Sequence, residues 1–251
     1  MKNWLICIDD TDDIGTKGTG EIAEEIAHLL QQQQANRTEY VARCLVTRHQ
    51  LYVHPDIPYT SHNSAMCFQL ESHLDFADIK QICVTHLLQE SAAASDPGLA
   101  ILDMSSSYDI SALIAFGRAA KKTVKTKEQA YELATELGID LSEHGGTGQG
   151  VIGALAGLGL RLSGQDGRVK GQFCLGDYNQ SADIEFTVAD ILLTSPLQIV
   201  LSDSGEVLAD DERILLTGKV KAVYRQHMFA LLVSRHGSGW VNASKQTLKA
   251  Y

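Results

Sequence analysis

Four of the five residues from Asp9 to Asp13 are aspartates, broken only by Thr11, and Gly15, Gly18 and Gly20 follow closely. Carboxylates this dense repel one another unless a cation or solvent relieves them. A hard divalent ion such as Mg²⁺ takes oxygen ligands of this kind, usually one or two carboxylates plus substrate phosphates. Asp9, Asp10 and Asp12 are the expected metal ligands; the alternative is an acidic turn whose aspartates cap a helix. Thr19 either contacts a phosphate or caps that helix. Lys17 either pairs with a phosphate or serves as a local counter-charge.

A second stretch, residues 144–159, carries Gly145, Gly146, Gly148 and Gly150 behind His144. Glycines let backbone amides close around a phosphate, because no side chain obstructs the approach. No Lys-Ser/Thr pair follows them, so this is not a Walker loop. The spacing also departs from a dinucleotide fingerprint, and a helix rather than a strand is expected before it. The competing explanation is a helix–helix contact that needs small residues at 150, 153, 154 and 157. His144 is a candidate acid/base beside this loop. His62 and Asn63 are candidates for the nucleotide or acceptor site, with turn formation as the alternative.

The elements that position these groups follow from apolar periodicity. Residues 4–8 predict a buried strand, and helical spacing over 21–30 places a helix directly after the acidic turn. Strands are expected at 40–46, 65–70 and 99–102, with an amphipathic helix at 75–89. Between the second and third strands lies a polar loop at 54–64 containing Pro55 and Pro58. This order is that of a ferredoxin-like βαββαβ unit within an α+β fold. Two further helices are expected at 110–121 and 127–137, the second closed by Gly138. From about residue 196 the pattern becomes β-rich, with strands at 197–201, 213–224, 228–234 and 240–243. Two regions result, 1–190 and a small C-terminal unit, 191–251. Lys219, Lys221, Arg225, Arg235, Lys245 and Lys249 make the latter the most basic part of the chain.

The 251 residues carry a formal charge of −10, which argues against a broadly basic nucleic-acid surface. Five scattered cysteines, three of them inside apolar strand-like runs, read as free thiols in a reducing, cytoplasmic setting. They also exclude a zinc site built from cysteine pairs. No stretch approaches the ~20 apolar residues of a membrane span.

Four stretches in order now carry a resemblance. Ile8 to Asp12 followed by Gly15 and Thr19, the loop of residues 54–65, Asp96-Pro97-Gly98, and Gly146 running into Ile152-Gly153-Ala154-Leu155-Ala156 resemble the archaeal agmatidine synthetases. Those enzymes modify the wobble cytidine of an isoleucine tRNA. The resemblance implies a kinase-like catalytic region that uses ATP and Mg²⁺, with ATP cleaved to AMP and pyrophosphate. It implies that Asp9, Asp10 and Asp12 hold the metal and that Thr19 becomes phosphorylated. It also sets Gly146, Gly148 and Gly150 on the family's glycine loop, and Thr11, Lys17, Gly18 and Thr147 are expected to join them around the nucleotide. The chain has no cysteine pairs for that family's zinc ribbon and no length for its OB-fold, so it corresponds to the N-terminal catalytic half. Where the family has Cys-Thr-Thr this chain has Gly18-Thr19-Gly20, and Thr60, Ser61 and His62 stand where the family is basic. The expected function is therefore an ATP-cleaving phosphotransferase or ligase acting on a small molecule or an RNA. The alternatives are a tRNA cytidine-modifying enzyme that needs a partner chain and a non-catalytic nucleotide-binding regulator. DNA and membrane partners are not expected, and a homo-oligomer is left open.

Overall fold

The computed structural model describes residues 1–33, 44–57, 62–171, 173, 175, 178 and 182–251. The chain divides into two compact units, Met1–Ser163 and Gly164–Tyr251. No helix among the described residues is long and apolar enough to cross a membrane.

In the first unit the order is β1 (Lys2–Asp9), α1 (Thr19–Gln32), β2 (Thr47–Gln50), β3 (Ser64–Ser72), α2 (Phe76–Glu90), β4 (Gly98–Asp103), α3 (Ile110–Ala120), α4 (Lys127–Leu137), β5 (Asp140–Glu143) and α5 (Gly150–Leu162). The strands lie in the order β5-β4-β1-β3-β2, each antiparallel to its neighbours. Period-two alternation explains why β1 is apolar throughout. Trp4, Ile6 and Ile8 join a core with α1 and α2, whereas Leu5 and Cys7 join a second core with α3, α4 and α5. The sheet is thus covered on both faces. Cys7, Cys67 and Cys83 are buried free thiols and Cys44 is half-buried; burial raises the Cys44 and Cys83 thiols to about 12. Cys174 lies outside the described residues, as do residues 58–61 of the expected polar loop.

Three expectations change here. Most of the strand expected at 40–46 lies outside the described residues. Cys44 to Val46 are not strand, and pairing with β3 begins at Thr47. A strand, β5, precedes the glycine loop: its short polar sequence Asp-Leu-Ser-Glu shows no alternation, but it pairs along β4. The small residues of α5 serve mainly a helix–sheet contact. A Cβ on Gly157 would lie 2.3 Å from Cys7 Sγ, and one on Gly153 would lie 1.6 Å from Asp9 Oδ2. The helix–helix contact uses other glycines, Gly117 against the Ala156 carbonyl and Gly159 against the Leu113 carbonyl.

The second unit contains β6 (Arg168–Val169), β7 (Ile184–Thr187), α6 (Val188–Thr194), β8 (Ile199–Ser202), β9 (Arg213–Leu216), β10 (Ala222–Arg225), β11 (Met228–His236), β12 (Gly239–Asn242) and a 3-10 turn, Thr247–Ala250. Residues 164–190 fall in this unit rather than in the region 1–190, because β6 pairs with β10 and β7 with β9. The single strand expected at 213–224 is interrupted around Gly218, whose φ of 54° is left-handed.

The α3–α5 contact yields a stability prediction. Alanine normally gains about 1 kcal/mol over glycine inside a helix. At Gly159, however, its Cβ would lie 2.1 Å from the Leu113 carbonyl oxygen, and overpacking costs about 1–3 kcal/mol. Gly159→Ala should therefore lower the urea midpoint of unfolding; a raised midpoint would show that the two helix backbones are not in contact.

Candidate functional site

The acidic turn starts where β1 leaves the sheet. Asp9 is 7% exposed and Thr11 fully buried, while Asp10 and Asp12 are half-buried. Asp10 has φ 53°, a left-handed conformation that aspartate tolerates better than most residues. The aspartates do not cap α1. Its N-cap is Gly18, with no side-chain bond, so Thr19 is not the cap either. Instead Thr19 Oγ1 donates to Asp12 Oδ1 at 2.6 Å. Asp13 closes a tight turn with Thr16, accepting its amide at 3.0 Å and donating its own to Thr16 Oγ1 at 2.8 Å. Ala92, just beyond α2, donates its amide to the Thr11 carbonyl at 2.9 Å and holds the turn from behind.

The glycine loop is brought to the same strand ends. A Cβ on Gly98, the first residue of β4, would lie 2.1 Å from the Gly150 carbonyl carbon. One on Gly150 would lie 2.2 Å from the Asp96 carbonyl oxygen and 3.0 Å from that of Asp9. The Gly150 amide donates to the Asp96 carbonyl at 3.1 Å. Gly146 and Gly148 have φ 54° and 75°, so both need glycine. The loop's donors are not bare. The Asp96 carboxylate accepts from the Thr147 amide at 2.6 Å, from the Thr147 hydroxyl, and from the Gln149 amide at 3.4 Å. Lys127, at the start of α4, braces the other side by donating to Glu143 and to the Thr147 carbonyl, each at 2.8 Å.

Electrostatics link the two pieces. Burial, then Asp10 and Asp12, push the Asp9 carboxyl well above its usual range. Asp10 is raised to about 6 by burial, then by Asp96 and Asp12. Burial works to raise Asp96 as well, yet the donors of Thr147, Gln149 and Gly148 outweigh it and keep its carboxyl low. The turn therefore concentrates negative charge, and Thr11 Oγ1 is buried with no hydrogen-bond partner among the described residues. Oxygen donors of this kind fit a hard cation. Among the described residues, however, no three His, Cys, Asp or Glu side chains form a ready-made cage.

Several residues singled out in the sequence sit elsewhere. Lys17 donates to Glu25 at 2.7 Å and Glu90 at 2.6 Å, tying the turn to α1 and α2. His86 joins the same Glu25 at 2.8 Å. Asn63 shapes its own loop, with Nδ2 donating to the Tyr52 carbonyl at 2.7 Å. His62 is exposed. The ring of His144 shares a hydrogen bond with Ser142 Oγ at 2.9 Å. Burial, with Lys80 nearby, lowers its pKa and favours the neutral imidazole. Asp96, Lys127 and Glu143 were missed by sequence reasoning. Asp96-Pro97-Gly98 reads as a turn and as one of the stretches that carry the resemblance, without a role for its carboxylate. Nothing near Lys127 or Glu143 links them to each other or to the loop's backbone.

Asp10 makes a signed prediction. Its folded pKa lies above the unfolded value, so the folded state binds more protons between pH ~4 and 6, and stability falls as pH rises through that window. With chelator present at pH 7, Asp10→Asn should stabilise the chain by about 1–3 kcal/mol and flatten the pH dependence. Asparagine keeps the left-handed backbone, so an unchanged urea midpoint would show that the carboxylate is not under this strain.

No family model matches the chain, and no curated protein matches it. Solved structures do. A complex of TiaS with its isoleucine tRNA and ATP aligns with TM-score 0.53 and 21% identity, over 63% of this chain and 36% of that one. A tRNA fluorescent labeling enzyme aligns with TM-score 0.52 and 22% identity, over 62% and 36%. Apo TiaS, a tRNA agmatidine synthetase, gives 0.51 and 21%, over 62% and 35%. The chain spans little more than a third of these neighbours, and it shares with that part of them a mixed α and β fold.

Proposed function

We propose that Met1–Ser163 binds ATP with Mg²⁺ and uses it to activate an acceptor by phosphoryl transfer. One observation carries this reading: the acidic turn after β1 and the glycine loop before α5 meet at the same strand ends, with Gly150 and Gly153 against Asp9. Phosphoryl transfer asks a protein mainly for positioning and charge neutralisation. A metal ion bound there would supply the neutralisation. Asp10 and Asp12 are its ligands in this reading, with Asp9 behind them. The Thr19 hydroxyl is the phosphoacceptor, or else a γ-phosphate contact. Its bond to Asp12 gives it the hydroxyl–carboxylate pairing that an activated nucleophile needs. Gly146, Thr147, Gly148 and Gly150 supply backbone donors for phosphate, and Asp96 must share or yield the amides of Thr147 and Gln149. Thr11 and Gly18 line the turn, Lys17 holds it in place, and His144 braces the loop through its amide, which donates to the Pro97 carbonyl.

The strand order β4-β1-β3-β2 with α1 and α2 on one face supports a ferredoxin-like reading of residues 2–103. Likeness to structures solved with tRNA supports an RNA acceptor. The charge of −10 supports a small molecule. Free buried thiols suit a reducing cytoplasm.

Incubation with ATP and Mg²⁺, with and without candidate acceptors, tests which bond breaks. Transfer of the γ-phosphoryl group to Thr19 or to an acceptor releases ADP, and cleavage at the α-phosphorus releases AMP and pyrophosphate. The appearance of neither product would remove the reading. Asp10→Asn should cut turnover by about 10²–10³ while leaving the far-UV circular dichroism unchanged; full activity would remove the proposed metal role. Asp96→Ala leaves the Thr147 and Gln149 amides without their acceptor. That frees two donors for phosphate but also removes the carboxylate that orders the loop. If ordering dominates, KM for ATP should rise about tenfold with a smaller change in kcat, and an unaltered KM would separate Asp96 from the nucleotide.

A further inference from the structure

The second unit holds a cavity of about 570 Å³ at the ends of β9, β11 and β12, lined by Thr217, Lys219, Ser234, Asn242, Lys245 and Thr247 among others. Its size is that of a small-ligand pocket. Its walls are cationic and hydroxylic, and none of its lining residues is a carboxylate. One wall is fixed: Asn242 Oδ1 accepts from the Thr217 amide at 2.7 Å and its Nδ2 donates to the Thr217 carbonyl at 3.1 Å. Thr217 is thus held through its backbone, which leaves its hydroxyl out of that pairing, while the Thr247 hydroxyl meets Ser244 Oγ at 3.1 Å.

The charges that line this cavity differ from those of several lysines in the first unit. Lys2, Lys17, Lys80 and Lys127 each meet a carboxylate at 2.6–3.1 Å. Lys219 and Lys245 are exposed, and among the described residues neither forms an ion pair. From Arg213 to Tyr251 the chain has seven Lys or Arg and no Asp or Glu, in a protein whose net charge is −10. Two ammonium groups that line one cavity without a carboxylate are stabilised by an anion bound there. Hydroxyls add donors that complete the coordination of phosphate oxygens.

We infer that this cavity binds the phosphate group of a small phosphorylated ligand, held between Lys219 and Lys245 with hydroxyl contacts from Thr217, Ser234 and Thr247. The site lies wholly within Gly164–Tyr251 and stands whether or not the first unit cleaves ATP.

The test is titration of the full chain with inorganic pyrophosphate, followed by calorimetry and by backbone amide shifts. The expected result is saturable binding that weakens as salt rises, with shifts concentrated at residues 217–247. Lys219→Gln/Lys245→Gln should weaken it at least tenfold with circular dichroism unchanged, and Lys245→Gln alone should weaken it less. Absence of binding, or shifts confined to residues 144–153, would overturn the assignment. So would binding that the double variant leaves intact. A short single-stranded RNA that binds here and is lost in the double variant, while pyrophosphate does not bind, would replace the small ligand with a nucleic-acid backbone.

Discussion

The first unit depends on a backbone-to-backbone approach between the start of α5 and the ends of β1 and β4. Side chains at 98, 150 or 153 would place a Cβ 2.1, 2.2 or 1.6 Å from the Gly150 carbonyl carbon, the Asp96 carbonyl oxygen or Asp9 Oδ2. At 98 and 150 the opposing atoms are backbone and cannot rotate away, while at 153 the Asp9 carboxylate would have to swing out of its place. Three positions, one of them far from the others in sequence, must therefore all be glycine for α5 to begin where it does. That start delivers the glycine loop to the acidic turn. It also seals the Asp9 carboxyl beneath Gly153, which is why burial is the leading cause of its raised pKa.

Unfavourable features gather at this one place. Asp10 is left-handed, Asp9 and Asp10 are held at raised pKa values, and Thr11 Oγ1 is buried without a partner among the described residues. Elsewhere in the sheet Trp4 Nε1 and Asp140 Oδ2 also lack hydrogen-bond partners among the described residues. Neither of those residues has a left-handed backbone, however, and the raised carboxyls stand in the turn, at Asp9 and Asp10. Local strain and uncompensated charge persist only where the surroundings over-determine them. Here the restraints are visible: Ala92 holds the Thr11 carbonyl, and Lys17 ties the far end of the turn to Glu25 and Glu90. A turn built only to connect β1 to α1 needs none of this. Stability lost in such a place is the usual signature of a site that binds something.

What the sequence made legible follows the range of the forces involved. Periodicity is local and strong in β1, α1, α2 and α4, and Gly138 stands in the left-handed cap position expected of it. β5 and β6 were not readable, because strands of four and two residues exist through pairing partners remote in sequence. The β10–β11 hairpin turns on Gln226 and His227, both with positive φ. Neither is a residue that announces such a turn. Small residues along α5 announced a close contact but not its partner, and three of the four expected positions are glycines pressed on the sheet or its strand ends rather than on a helix. The aspartates were legible by density alone. Asp96, the carboxylate that joins the two halves of the site, was hidden inside an ordinary turn motif.

Asp96 bears on both explanations of the glycine loop, phosphate binding and packing. Glycines at 150 and 153 are required by packing, whatever binds nearby. Gly146 and Gly148 are different: their left-handed backbones fold the Thr147 and Gln149 amides toward one acceptor, and that acceptor is an anion. The loop's amides thus already serve a carboxylate of their own chain. Asp96 lies close enough to Asp10 to raise that residue's pKa. An anion arriving alone would compete with Asp96 for the amides and add to the repulsion around Asp10. In the proposed reading Asp10 and Asp96 would hold a divalent cation that arrives with the anion, which would relieve the charge on Asp10 and release the amides of Thr147 and Gln149 for the anion. The arrangement therefore favours a metal-bound phosphate over a free one, on grounds of charge alone.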